Sequence, residues 1–138
     1  MARSGDLNFS FSGLKTAAIT AFDKLDRDPA FVNDIAASFE LAAVESLASK
    51  CRKALRQESL SRLVVSGGVA ANLELRKRLA EMIDADGGEL FFPRMEFCTD
   101  NGAMIAYAGA LRLISGEESG DAVEVKPRWP LADMQVPG

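Results

Sequence analysis

The 138-residue chain contains no histidine, and that one absence removes a large part of enzyme chemistry. A Ser-His or Cys-His nucleophilic pair and a His-Glu-x-x-His zinc helix both need imidazole, so a hydrolase built on either is excluded within this chain. Cysteine is scarce as well: Cys51 and Cys98 are the only two, without Cys-x-x-Cys spacing. That argues against a disulfide framework and for reduced, buried thiols in a cytosolic protein. No run approaches the roughly 18 consecutive apolar residues of a membrane helix, and the opening Met-Ala-Arg-Ser-Gly-Asp lacks the apolar core of a signal peptide. The expected setting is soluble and cytoplasmic, with no membrane partner. Basic charge is in short supply too. Sixteen Lys and Arg against twenty Asp and Glu leave a net charge of −4, so there is no domain-wide positive footprint for nucleic acid. Any RNA contact must be local or supplied by a partner.

What is present is one domain's length of chain, 48% apolar, enough to bury a core. Leu7 to Phe11 alternates polar and apolar residues like a half-buried strand, and Ser12 reads as a helix N-cap before Leu14, Ala17, Ala18, Ala21, Phe22 and Leu25 at helical spacing. Asp26-Arg-Asp-Pro closes that helix. From Pro29 a longer helix carries Phe31, Ile35, Phe39, Ala43 and Leu47 at intervals of four and ends in Lys50, Arg52, Lys53 and Arg56; it is the expected core-forming helix. Ser61–Val65 is a short strand, followed by a glycine turn and a helix to about Ile83 with Leu73, Leu75, Leu79 and Met82 as its buried set. Glu89–Phe92 is a second strand, 93–98 a loop, and Thr99–Ser115 a helix with Gly116 past its end. Two prolines make the tail around Trp129 extended. Strand, helix, strand, helix is the pattern of a parallel α/β layer, with ligands at the carboxyl ends of its strands.

Both candidate motifs fall at such ends. Gly67 and Gly68 lack a Cβ, so the backbone can turn sharply and let adenosine or phosphate approach its amides; for an isolated Gly-Gly, tight strand-to-helix packing is the commoner explanation. Asn72, four residues beyond Gly68 and so expected on the same helical face, offers an amide to a ribose or base edge or, alternatively, satisfies first-turn backbone groups. Asp100, in Cys-Thr-Asp-Asn-Gly, is the leading carboxylate for a hard or borderline divalent ion; capping of the following helix by Thr99 or Asp100 is the alternative. One carboxylate does not make a metal centre. Gly102, Ala103, Ala106, Gly109 and Ala110 keep one face of that helix small for packing. The Arg76-Lys-Arg and Lys50–Arg56 groups read as solvated helix faces. Ser12-Gly-Leu-Lys-Thr lacks the spacing of a Walker loop.

Four segments in order, Phe9-Ser-Phe-Ser-Gly-Leu-Lys-Thr-Ala, Ser66-Gly-Gly-Val-Ala-Ala-Asn with Leu75-Arg76, Phe97-Cys-Thr-Asp-Asn-Gly-Ala-Met-Ile-Ala, and Pro127-Arg-Trp-Pro-Leu, resemble the TsaD-type tRNA threonylcarbamoyladenosine transferases, formerly called O-sialoglycoprotein endopeptidases or glycoproteases. The resemblance implies an actin-like (ASKHA) ATPase fold, of which residues 1–138 are a single domain, the carboxy-terminal lobe without the preceding part. It implies transfer of threonylcarbamoyl from threonylcarbamoyl-adenylate to the N6 amine of the adenosine beside the tRNA anticodon. Asp100 is then a ligand of a divalent metal, iron or zinc. Asn72 contacts the adenylate, and Gly67 and Gly68 line its nucleotide (ATP-type) pocket. Family members are more than twice as long and draw their other metal ligands from a His-x-x-x-His pair. Without it, this segment is expected to be inactive alone. The implied partners are tRNA, reached through the full-length complex, and other threonylcarbamoyladenosine-synthesis proteins; a homodimer through the exposed lobe interface is a further expectation. The readings from other classes are a non-catalytic nucleotide- or partner-binding module and, from the old family label, a metalloendopeptidase.

Overall fold

The computed structural model of the protein describes Leu7, residues 11–117 and Pro130; residues 8–10 of the expected first strand and the tail around Trp129 lie outside these. Two compact units divide the chain, Met1–Thr99 and Asp100–Gly138.

The first unit opens with α1 (Ser12–Asp23). The helix starts one residue earlier than a Ser12 cap requires. Phe11 holds the cap position with no side-chain cap bond, and Ser12 is the first helical residue, its carbonyl taking the Thr16 hydroxyl at 3.0 Å. Beyond α1, Asp26 and Arg27 both adopt left-handed backbone, with φ of 51° and 55°. Asp28 then accepts from Ala30 N at 2.9 Å, and Pro29 stands at the first position of a 3₁₀ turn, Pro29–Phe31.

That turn feeds α2 (Val32–Gln57), a 26-residue helix about 39 Å long. Only its second half is core: Val44 and Ala48 are buried, with Leu47, Cys51 and Leu55 packed beside them. The seam thus runs one residue away from the expected Phe31, Ile35, Phe39, Ala43, Leu47 stripe. Phe31 and Phe39 are exposed at 40% and 36% and face α1 across an open groove. On the α1 side Ala17, Ala18 and Ala21 line this groove together with Leu14, which leaves the two rings only partly covered.

The strands β1 (Arg62–Val64) and β2 (Glu89–Phe91) pair in parallel, Arg62 opposite Glu89 and Val64 opposite Phe91. Bonds from Val65 N to Phe91 O (3.0 Å) and from Glu89 N to Ser61 O (2.8 Å) extend the ladder. Between them runs α3 (Leu73–Ala85), as the strand-helix-strand pattern requires. Alternation places Leu63, Val65, Leu90 and Phe92 against the helices, while Val64 and Phe91 lie on the other face and are exposed. From α3, Leu75, Leu79, Met82 and Ile83 complete the core. Leu73, expected among them, is 70% exposed, because Asn72 is not yet helical and the first residue of α3 turns outward. At Gly88 a Cβ would stand 2.5 Å from the Ser61 carbonyl oxygen, so only glycine lets β2 begin there.

The Lys50–Arg56 group is a solvated face only in part, with Arg56 exposed. Lys50 is buried, and Arg52 reaches Asp86 at 2.7 Å and the Met82 carbonyl at 3.4 Å, fastening α2 to the end of α3 where the helices pack closely. The second unit contains α4 (Gly102–Ile114), none of whose residues is buried, its small face included. Gly116 follows with φ of 83°, as a helix-terminating glycine does. Among the described residues no helix is long and apolar enough to cross a membrane. The described architecture is α/β, mostly helical, with a two-stranded parallel sheet.

Candidate functional site

The chain leaving β1 carries the first candidate residues. Gly67 has φ 85° and ψ 179°, a region essentially restricted to glycine. Nothing lies within 4 Å of where a Cβ would stand at either Gly67 or Gly68, so open space adjoins this backbone. The residues Gly68–Ala71 form one 3₁₀ turn, closed by Ala70 N to Gly67 O at 2.9 Å.

Asn72 then adopts extended backbone and caps α3, its Oδ1 accepting from Leu75 N at 2.7 Å. It therefore does not share a helical face with Gly68; the break in backbone conformation at Asn72 separates the two turns. Its Nδ2 donates to Glu40 Oε1 on α2 at 2.7 Å. These partners fix the orientation of the amide, since one needs an acceptor and the other a donor. A carboxamide has two N–H groups and two acceptor lone pairs, of which Glu40 and Leu75 use one each. Capping and ligand contact are thus compatible at Asn72.

Arg76, in the first turn of α3, joins this turn to the chain leaving β2. Its Nε donates to Ala70 O at 2.6 Å, and one Nη donates to Pro93 O at 2.8 Å and to Cys98 Sγ at 3.3 Å. The guanidinium also lies 4.5 Å from the centre of the Phe92 ring. Arg76 is half-buried, contrary to the solvated-face reading. It flanks the buried stripe three residues before Leu79 and seven before Ile83, a position from which a long side chain reaches inward. Lys77 and Arg78 keep to the surface side of α3, where the Arg78 fork engages both carboxylate oxygens of Glu45 on α2, the second at 3.1 Å.

Electrostatic perturbation in this unit follows these contacts. The hydrogen bond from Arg78 holds the Glu45 carboxyl below its ordinary value, partly opposed by desolvation and aided by the charge of Arg78. Burial pushes the Cys51 thiol up. Neither cysteine is in a disulfide, and Cys98 is 2% exposed.

Asp100 opens the second unit with an exposed side chain. The cap of α4 is Asn101, whose Oδ1 accepts from Met104 N at 3.0 Å, so neither Thr99 nor Asp100 fills that role. The helix begins at Gly102 rather than Thr99, because Asn101 is still extended. Among the described residues no three His, Cys, Asp or Glu side chains are grouped to hold a metal ion. A single carboxylate falls short of the usual donor sets for zinc or harder cations, so these residues do not by themselves compose a metal centre.

Gly67, Gly68 and Asn72 are thus brought together at the exit of β1, with Glu40 and Arg76 as neighbours that sequence reasoning missed. Glu40 gave no local signal; Arg76 gave one, its place beside the buried stripe.

A family model described as "TsaD: tRNA N6-adenosine threonylcarbamoyltransferase" matches residues 1–107. A curated relative from Aromatoleum aromaticum, named tRNA N6-adenosine threonylcarbamoyltransferase, is 51% identical over 99% of this chain. The chain spans about two fifths (41%) of that relative's length. With a match that covers well over half of its residues, the chain belongs to the TsaD family.

Proposed function

We propose that this chain supplies the nucleotide-facing lobe, actin-like in fold, of a cytoplasmic tRNA N6-adenosine threonylcarbamoyltransferase. The observation that carries the reading is the glycine-only backbone at Gly67, opening onto space and leading through the Gly68–Ala71 turn to the Asn72-capped N-terminus of α3. Backbone amides at such a turn, together with the positive end of the helix, suit the phosphate of an adenylate. The remaining N–H and lone pair of Asn72 suit its ribose or base.

In the proposed reaction the N6 amine of a tRNA adenosine attacks the threonylcarbamoyl carbonyl carbon. A new N–C bond forms, the bond to the adenylate oxygen breaks, the amine loses a proton and AMP departs with the electron pair. The part played by Gly67, Gly68 and Asn72 is to hold the adenylate so that this carbon is presented. Asp100 is the carboxylate this lobe would present to a divalent iron or zinc ion.

The test is mass spectrometry of threonylcarbamoyladenosine in tRNA from cells whose only copy of the complete protein carries Asn72→Ala or Asp100→Ala. Both variants are expected to lose the modification. Normal levels in both would refute the reading.

A further inference from the structure

One side chain ties together the two loops that leave the carboxyl ends of β1 and β2. The Ala70 carbonyl belongs to the turn between Gly67 and Asn72, and Pro93 and Cys98 bracket the loop after β2; the Arg76 fork donates to all three, at 2.6, 2.8 and 3.3 Å. Ala70 is 0% exposed and Cys98 2%, so two of the three acceptors belong to buried residues. The face of Phe92 supports the guanidinium plane. Arg76 N also donates to Asn72 O at 3.1 Å, placing the fork on the helical turn that Asn72 caps. A planar fork can satisfy several acceptors at fixed angles, which a lysine ammonium does not reproduce.

We infer that Arg76 is a positioning residue: it ties the Gly67–Asn72 turn to the Pro93–Cys98 loop and does not itself touch the ligand. This rests on the reading of that turn as a nucleotide seat. Displacing the fork loosens both loops together, so the seat and the Cys98 thiol respond as one.

The experiment compares the chain with its Arg76→Lys variant, both in a Cys51→Ala background so that a soluble maleimide reports Cys98 alone. AMP binding is followed by calorimetry and the fold by circular dichroism. With the native spectrum kept, Arg76→Lys should weaken AMP binding about tenfold, the scale of one charge-assisted hydrogen bond, and speed Cys98 labelling by a similar factor. Unchanged AMP affinity, or unchanged labelling, overturns the inference. Should the variant fail to fold, the parent alone decides: AMP must slow Cys98 labelling, and equal rates with and without AMP overturn the coupling. A parent that binds no AMP sinks the nucleotide seat. The clamp is then judged by labelling alone, faster labelling in Arg76→Lys supporting it and equal rates refuting it.

Discussion

Replacing Asn72 with aspartate should destabilise the protein, and adding Glu40→Gln to the same chain should restore it. In Asn72→Asp the cap survives, because a carboxylate oxygen still accepts from Leu75 N. Negative charge at the N-terminus of α3 even favours the variant by about 0.3–1 kcal/mol. The loss lies on the other side of the residue, where Nδ2 now donates to Glu40 at 2.7 Å. An exposed hydrogen bond of about 1 kcal/mol disappears. In its place two carboxylates repel across roughly 4 Å, about 1 kcal/mol in water. The net cost is about 1–2 kcal/mol, a fall in Tm of about 4–15 °C for a unit of roughly 100 residues. With Glu40→Gln added, the amide introduced at position 40 donates to the carboxylate introduced at position 72. Donor and acceptor have then exchanged sides, and stability should return to within about 0.5 kcal/mol of the parent. Glu40→Gln alone should be nearly neutral, its carbonyl still accepting from Asn72. Urea denaturation of the four proteins at low ionic strength gives the coupling energy. An Asn72→Asp chain as stable as the parent, or a coupling energy within about 0.3 kcal/mol of zero, would refute the reasoning.

Leu79, 1% exposed at the centre of the core, should cost about 2–5 kcal/mol on truncation to alanine, whereas exposed Leu73 should cost less than about 0.5 kcal/mol; equal urea midpoints would contradict the packing. Gly67→Ala should lose about 1–3 kcal/mol through backbone strain alone, since no neighbour crowds its Cβ. Gly68→Ala, equally open and free of positive φ, should be near neutral, and a reversed order in thermal melts would contradict the turn geometry. The Glu45 carboxyl is depressed by Arg78, so its stabilising contribution is present above the unfolded value of 4.5 and is lost as pH falls through the lower folded value. The Tm difference between the parent and Glu45→Gln should therefore shrink on acidification to about pH 3; a constant difference would remove the pairing.

The parallel pairing of β1 and β2 was legible in the sequence because α3 separates two short apolar runs, and Leu75, Leu79 and Met82 of α3 recur at helical spacing. The seam of α2 was misread by one residue. Periodicity finds a stripe of large side chains, but Phe31 and Phe39 meet only α1 across an open groove, and burial is completed at Val44 and Ala48, where α3 packs. Cap positions shifted for a similar reason: Ser12 and Asp100 have capping side chains, yet backbone conformation is decided a residue away, at Phe11 and Asn101. At the candidate site Gly67 was readable because glycine marks its conformation directly. The bonds of Asn72 to Glu40 and of Arg76 to Pro93 were not, because they join residues 32 and 17 positions apart and depend on the helices having packed.

The parallel register also dictates an order of assembly. Antiparallel neighbours can zip from a tight hairpin, but Arg62 meets Glu89 only after the intervening segment has doubled back, so the ladder cannot nucleate by itself. Docking of α3 onto α2 brings the strands within reach, so truncation of Leu79 should slow refolding in stopped-flow measurements. Loss of the Arg76 fork, which bridges the loops beyond the ladder, should instead speed unfolding.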